Sequence, residues 1–210
     1  MSSLRFSSFL PALCVTVACS ESPARTAADS QGAHVREVVA AGGVVDSILP
    51  IAEQLRRFRA GFTGHADTLS SASASIDDLV GRWARALTAN DSAALNGMVL
   101  TMAEFAWLYY PDSKLSRPPY ESPPALLWWQ FVTTSNEGAR AAFTRFGGRP
   151  LRVQQVACKE PALVEGANRL HEQCMLTFTS GGGKRQDARL FGTIIERAGL
   201  FKFVGLSNAL

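Results

Sequence analysis

A helical spacing of apolar residues marks the segment 44–62. The apolar positions follow one another at intervals of three or four residues, which places them on one face of a helix. They are Val44, Ile48, Ile51, Leu55, Phe58 and Phe62. The opposite face carries Glu53, Arg56, Arg57 and Arg59. We expect an amphipathic helix that packs against its own domain with a solvated polar face; the alternatives are a helix that binds a partner and one that lies on anionic lipid.

The helical spacing returns after a linker at 63–75 that is rich in Thr, Ser, Gly and Ala. Ser75 starts a sequence with the form of a capping box, and apolar residues then recur at helical spacing as far as Leu87. A second helix follows, capped by Asn90 or Asp91. Its apolar positions are Leu95, Met98, Val99, Met102 and Phe105.

A proline-rich stretch at 109–124 interrupts this pattern and predicts an ordered loop or a short extended crossing. Beyond it, 125–132 is rich in Leu, Trp and Phe. We expect Asn136 to cap a further helix that ends at the glycine pair 147–148. Its apolar face holds Ala139, Ala142, Phe143 and Phe146.

From Leu151 onward the apolar pattern changes to that of strands. We expect strands near 151–158, 172–179, 187–196 and 200–206, with tight turns at 181–183 and 198–199. Helices followed by an antiparallel meander predict an α+β fold, with N-terminal helices packed on a curved antiparallel sheet of four or more strands.

The first 18 residues have the form of a secretory signal peptide, with one positive charge at Arg5 before a short apolar stretch. That stretch is too short to span a bilayer. It ends in Val17-Ala18-Cys19, which resembles the lipobox of bacterial lipoproteins. The resemblance implies a lipid on the Cys19 thiol, cleavage before it, and palmitate-type acylation at the cell envelope, on a periplasmic or outer-membrane face. The alternative is an ordinary signal peptide cut near Ala18 or Ala24.

The residues after the cleavage site, 19–43, are rich in Ala, Ser and Gly and predict a flexible tether. Two cysteines then remain in the rest of the chain, Cys158 and Cys174. Export places them in an oxidising compartment, where a disulfide is expected. A hairpin that turns at Gly166 would bring them opposite each other. The alternative is a pair of buried free thiols.

Two or three helices laid against a curved antiparallel meander resemble the NTF2-like, cone-shaped fold over residues 76–210. The resemblance rests on the order of the elements. It implies a pocket enclosed by the helices and the sheet, and a family whose members include isomerases, dehydratases and non-catalytic binding domains.

The net charge and the absence of certain motifs argue against nucleic-acid binding, a G-x-S-x-G hydrolase and a metal site. The chain has 210 residues, of which 47% are hydrophobic and 19% charged, and a formal charge of +3. Removing the segment before Cys19, whose one charge is Arg5, leaves +2, which does not suggest a nucleic-acid surface. There is no G-x-S-x-G sequence and no metal-ligand spacing, and of the three histidines only His171 lies near the predicted strands. We therefore expect neither a metal nor another cofactor.

Aromatic residues are the best candidates for the lining of a pocket. They are Trp83, Tyr109, Tyr110, Tyr120, Trp128 and Trp129, with Glu104, Asp112 and Glu121 nearby in sequence. Of these, Trp83, Tyr109, Tyr110, Asp112 and Trp128 form the predicted pocket. We expect a membrane-anchored lipoprotein with a non-catalytic domain that binds a small apolar ligand or a protein partner. The alternative is an isomerase-like or lyase-like enzyme that uses one of the three acids as a base in an aromatic pocket.

Overall fold

The computed structural model describes residues 33, 34, 36, 37, 40–42 and 49–208. It divides into two compact units, Met1–Ile48 and Leu49–Leu210. In the first unit, the described residues of the expected tether include a helical part at Ala33, His34, Arg36, Glu37 and Ala40. The predicted signal peptide, Cys19 and the start of the predicted amphipathic helix lie outside the described residues. No helix in the described part of the chain is long and apolar enough to cross a membrane.

The second unit begins with helix α1, Ile51–Arg59. Its apolar residues Ile51, Leu55 and Phe58 pack on a buried cluster of the same unit. On the polar face, Glu53 accepts hydrogen bonds from Arg56 and Arg57 at 2.7 Å. The helix therefore covers its own domain with its apolar face.

Helix α2, Ile76–Thr88, starts where the sequence predicts, because Ser75 Oγ accepts from the backbone N–H of Asp78. Helix α3, Ser92–Gly97, is capped in the same way by Asp91. The predicted second helix does not continue to Phe105 as one element. It stops because Leu100 donates its backbone N–H to Phe203 of the sheet, and a new helical turn, α4, starts at Met102–Glu104.

Two less regular turns follow α4: a π-helix, Phe105–Tyr109, and a 3-10 helix, Lys114–Ser116. Helix α5, Pro124–Phe146, is then one continuous helix of 23 residues. The expectation of a separate helix capped by Asn136 is wrong, because that residue lies in the interior of α5. Pro124 is tolerated since it occupies the first turn, where its missing N–H is not needed.

The strands form two antiparallel sheets. Their bounds are β1 Leu151–Ala157, β2 Leu163–Glu165, β3 Asn168–His171, β4 Met175–Ser180, β5 Gln186–Ala188, β6 Ile194–Arg197 and β7 Leu200–Phe203. One sheet has the order β1-β4-β5 and the other β2-β3-β6-β7. The α+β class is thus confirmed, with two sheets in place of the single one expected.

Chain order shows how the two sheets are related. β1 and β2 follow each other along the chain, as do β3 and β4, and β5 and β6, with one member of each pair in each sheet. The pair β1 and β2 lies alongside the pair β3 and β4. In the first sheet β1 hydrogen-bonds to β4, and in the second sheet β2 hydrogen-bonds to β3. The four predicted strands therefore correspond to a meander that passes from one sheet to the other at three bends.

The disulfide lies at the first of these bends. It joins Cys158, just after β1, to Cys174, just before β4. The turn of this hairpin lies at Gly166, as predicted, with Glu165 opposite Asn168. The hairpin is not the simple one expected, because its tip belongs to the second sheet while its base belongs to the first.

Candidate ligand-binding cleft

A cleft of about 250 Å³ lies between the helices and the second sheet. Tyr109 of the π-helix and Phe131 of α5 line it on the helical side. The sheet side contributes Glu165 and Leu170 from the β2–β3 hairpin. The remaining lining consists of Ser113, Lys114, Leu115, Thr134, Glu172, Thr193, Val204, Gly205 and Ser207.

Glu165 is the least expected residue of this lining. It is the last residue of β2, directly before the turn, and is 8% exposed. Its Oε2 atom is buried and has no hydrogen-bond partner among the described residues. A buried carboxylate oxygen normally has a donor, because its desolvation otherwise costs free energy. The carboxylate of a residue that lines the cleft therefore lacks a donor within the described part of the fold.

Asp112 holds the turn next to Glu165 in place. Its Oδ2 accepts the backbone N–H of Ala167 at 3.2 Å and pairs with Arg197 Nη1 at 3.1 Å. A Cβ atom at Gly166 would overlap the Asp112 side chain, so the glycine allows this close approach. Asp112 thus positions the hairpin that carries Glu165.

Tyr109 forms the aromatic wall beside this carboxylate. Burial, followed by the negative charge of Glu165, raises the pKa of Tyr109 to about 12, against the opposing effect of a hydrogen bond with the Ser113 side chain. Its ring stacks on Phe105 and meets Phe131 edge-on, with centroids 5.9 Å and 5.6 Å apart. The phenol therefore stays neutral at physiological pH, as a fixed polar group in an otherwise apolar wall.

Of the five residues of the predicted pocket, Tyr109 lines the cleft. Trp83 is 1% exposed and packs edge-on against Phe191 in the other part of the core. Tyr110 is fully buried and donates its hydroxyl to the carbonyl of Ser122 at 2.6 Å. Asp112 anchors the turn described above, and Trp128 packs on Phe105 with ring centroids 5.3 Å apart.

The three acids that the sequence suggested as catalytic have other positions. Glu104 is 1% exposed and pairs with Lys202 at 2.8 Å. Asp112 pairs with Arg197, and Glu121 is exposed. The two carboxylates of the cleft, Glu165 and Glu172, were not predicted. Each adjoins a connection in a polar stretch, where a carboxylate has the sequence pattern of a solvated residue.

No histidine is among the residues that line the cleft. His171 Nε2 lies 2.9 Å from Glu196, and His65 Nδ1 lies 2.8 Å from Asp67. Within the described residues there is no group of three His, Cys, Asp or Glu side chains that could hold a metal ion.

No protein-family model matches the chain, and no curated protein or solved structure matches it significantly. The geometry of the cleft and the pattern of the sequence are therefore the grounds on which a function is proposed.

Proposed function

We propose that this chain is an exported lipoprotein, anchored to the cell envelope through Cys19, whose NTF2-like domain binds a small ligand in the cleft without catalysis. The Val17-Ala18-Cys19 sequence after a short apolar stretch supports the anchor. The disulfide between Cys158 and Cys174 is consistent with export into an oxidising compartment.

The arrangement of elements supports the NTF2-like assignment. Helices precede a bent antiparallel meander, and a cleft lies between a long helix and the sheet. This is the position in which the resemblance implies a pocket. The volume of about 250 Å³ is slightly below the range of roughly 300–1,000 Å³ typical of drug-sized ligands, so it suits a smaller molecule.

The observation that carries the binding proposal is the unpartnered oxygen of Glu165. The lining combines apolar and aromatic side chains, among them Tyr109, Phe131 and Leu170, with polar ones, among them Ser113, Thr134 and Thr193. Apolar walls with a few placed polar groups are typical of small-molecule sites. A small ligand thus fits this cleft better than a protein surface does.

The enzyme alternative has less support. It required Glu104, Asp112 or Glu121 inside an aromatic pocket. Two of these acids have cationic partners within the fold and the third is exposed, so none lines the cleft. Binding is therefore the function that we propose.

A substitution that fills the cleft tests this proposal. A Cβ atom at Gly205 would make ordinary contacts of 3.7 Å and 3.9 Å with Ser135 and Phe131, so a side chain can start there, and Gly205→Leu adds bulk between the sheet and α5. Gly64→Leu, at an exposed position with nothing within 4 Å, is the matched control.

The probe is a panel of small aromatic and alkyl amines, alcohols and carboxylates, observed by saturation-transfer NMR. We expect fragments that bind the parent chain and Gly64→Leu but not Gly205→Leu. Fragments that bind Gly205→Leu equally well, or a panel with no binders, would contradict a ligand site in this cleft.

A further inference from the structure

Negative charge exceeds positive charge in the lining of the cleft. The charged residues that line it are Glu165, Glu172 and Lys114. Among residues 49–208, no lysine, arginine or histidine forms an ion pair with either carboxylate. The lining therefore presents two carboxylates that are not neutralised by the fold.

The two signs of charge also lie at different depths. Glu165 is more than nine-tenths buried and Glu172 half-buried, whereas Lys114 is exposed. Water screens the exposed ammonium, while a buried carboxylate interacts more strongly with any charge beside it. The interior of the cleft is thus the negative part and the rim the positive part.

The unpartnered oxygen of Glu165 lacks a hydrogen-bond donor, and its charge indicates which kind of donor a ligand would supply. Leaving a charged buried acceptor without a donor costs more than leaving a neutral one. A neutral hydroxyl or amide would supply a donor but would leave both negative charges in place. An ammonium group supplies donors and opposes the charges of Glu165 and Glu172 at the same time.

The aromatic and apolar lining residues indicate what group is attached to the ammonium nitrogen of such a ligand. Tyr109 and Phe131 present aromatic surface next to the carboxylates, and Leu170 and Val204 are buried apolar neighbours. Aromatic rings attract cations and also pack on apolar groups. The walls therefore suit a short apolar or aromatic group attached to the cation.

We propose that the cleft binds a small organic ammonium compound, whose nitrogen donates to the Glu165 carboxylate near Glu172 and whose apolar part packs on Tyr109 and Phe131. This inference rests on the proposed function, because it names the ligand class of the same cleft.

Calorimetric titration of the full chain, purified with its disulfide oxidised, tests the ligand class with three probes of similar shape. They are 2-phenylethylammonium, the neutral 2-phenylethanol and the anionic 3-phenylpropionate. We expect the ammonium compound to bind roughly tenfold or more tightly than the alcohol, and the carboxylate to bind more weakly still.

Variants that remove one negative charge test whether the preference for the ammonium compound depends on Glu165. Glu165→Gln should weaken binding of 2-phenylethylammonium by roughly tenfold and leave binding of the alcohol within about twofold. Glu137→Gln removes the same charge from an exposed position of α5 outside the cleft and should change neither affinity. Near-UV circular dichroism shows whether each variant keeps its fold, and the comparison of the three probes on the unaltered chain does not depend on any variant.

Two results would overturn the inference. One excludes only the ligand class, and the other also excludes the cleft as a binding site. Equal binding of the ammonium compound and the alcohol would exclude a cation-specific site while leaving the ligand-binding cleft in place. No binding of any of the three probes would overturn both the ligand class and the proposed cleft function.

Discussion

At the scale of single residues, the most consequential polar contact outside the cleft is the buried ion pair of Glu104 and Lys202. Their side chains are 2.8 Å apart, and both residues are essentially inaccessible to solvent. Ser70 and the backbone N–H of Thr101 also donate to the Glu104 carboxylate. The pair ties α4 to β7, at one edge of the second sheet.

Lys202→Met should therefore destabilise the domain strongly. The substitution keeps most of the side-chain volume but leaves a buried carboxylate without its cation, which costs about 3–5 kcal/mol. Urea unfolding at neutral pH measures the loss. Lys184→Met, at an exposed loop position, is the control and should change the free energy of unfolding by less than about 0.5 kcal/mol.

The same contact predicts a dependence on pH. Burial raises the pKa of Glu104, but the hydrogen bonds from Lys202, Thr101 and Ser70 outweigh it and lower the pKa below the usual value of 4.5. A carboxyl with a lowered folded pKa stabilises the protein above its unfolded pKa, and this stability is lost as the pH falls through the folded pKa. Unfolding free energies at pH 6 and pH 3 should therefore differ less for Glu104→Gln than for the unaltered chain. An equal difference would show that Glu104 does not contribute.

Residue-level prediction from sequence succeeded for the covalent pairing and for the caps Ser75 and Asp91, and failed for the cap at Asn136 and for the acids of the cleft. Cys158 and Cys174 could be paired because export and the turn at Gly166 restrict the possibilities. Glu165 gave no signal, because its burial depends on residues distant in sequence, such as Tyr109 and Phe131 of the helices beside the hairpin. Local sequence does not contain that contact.

At the scale of elements, helix α5 is fixed against the C-terminal segment through Ser135 and Gly138. Ser135 Oγ accepts the backbone N–H of Leu206 at 3.0 Å, and Asn208 donates to the Gly138 carbonyl at 2.8 Å. A Cβ atom at Gly138 would overlap the Leu206 carbonyl group. This close approach places Val204 and Gly205 against α5 and so closes one side of the cleft.

Gly138→Ala is expected to destabilise the domain even though alanine favours helices. The added methyl group must displace the backbone at Leu206, and overpacking of this kind costs about 1–3 kcal/mol. The matched variant is Gly81→Ala in α2, where the new Cβ would make an ordinary contact of 3.5 Å with the Arg85 side chain. It should be stabilising by about 0.5–1 kcal/mol, and thermal unfolding that shows the same sign for both would contradict the packing described.

The disulfide is the second constraint between elements. It closes a loop with a sequence separation of 16 residues across the bend of the first hairpin. Chain-entropy estimates for such a loop give about 3 kcal/mol. The double variant Cys158→Ala/Cys174→Ala should lose about that much in urea unfolding and should no longer respond to a reducing agent. A chain whose stability is unchanged by reduction would show that the bond does not constrain the unfolded state.

The sequence predicted helices and strands where the apolar pattern is local. It did not predict where a helix breaks or where a strand bends. Strands β1, β4, β5, β6 and β7 overlap the four expected segments, whereas β2 and β3 lie between the first two of them. Alternation does not report where a strand bends into a second sheet. The break after Gly97 depends on pairing of Leu100 with Phe203, which is a contact distant in sequence. Asn136 resembled a cap because nothing in its neighbours shows that α5 runs through it.

At the scale of the whole molecule, the proposed function joins a lipid anchor at Cys19, a spacer and a binding domain. The anchor rests on sequence and the cleft on structure, so the two need separate tests. Cys19→Ala should abolish both membrane association and labelling by a palmitate analogue, because the proposed acylation is on this thiol. Equal labelling of the variant and the parent would contradict the anchor without affecting the cleft.

The structure of the complex with 2-phenylethylammonium is the most direct measurement of the central claim. We expect the ammonium nitrogen at hydrogen-bond distance, roughly 2.7–3.2 Å, from a carboxylate oxygen of Glu165, with the phenyl ring between Tyr109 and Phe131. Crystals of the full chain soaked at saturating ligand would show this position in the density. A ligand bound elsewhere, or a cleft that stays empty at saturation, would contradict the claim that this cleft is the binding site.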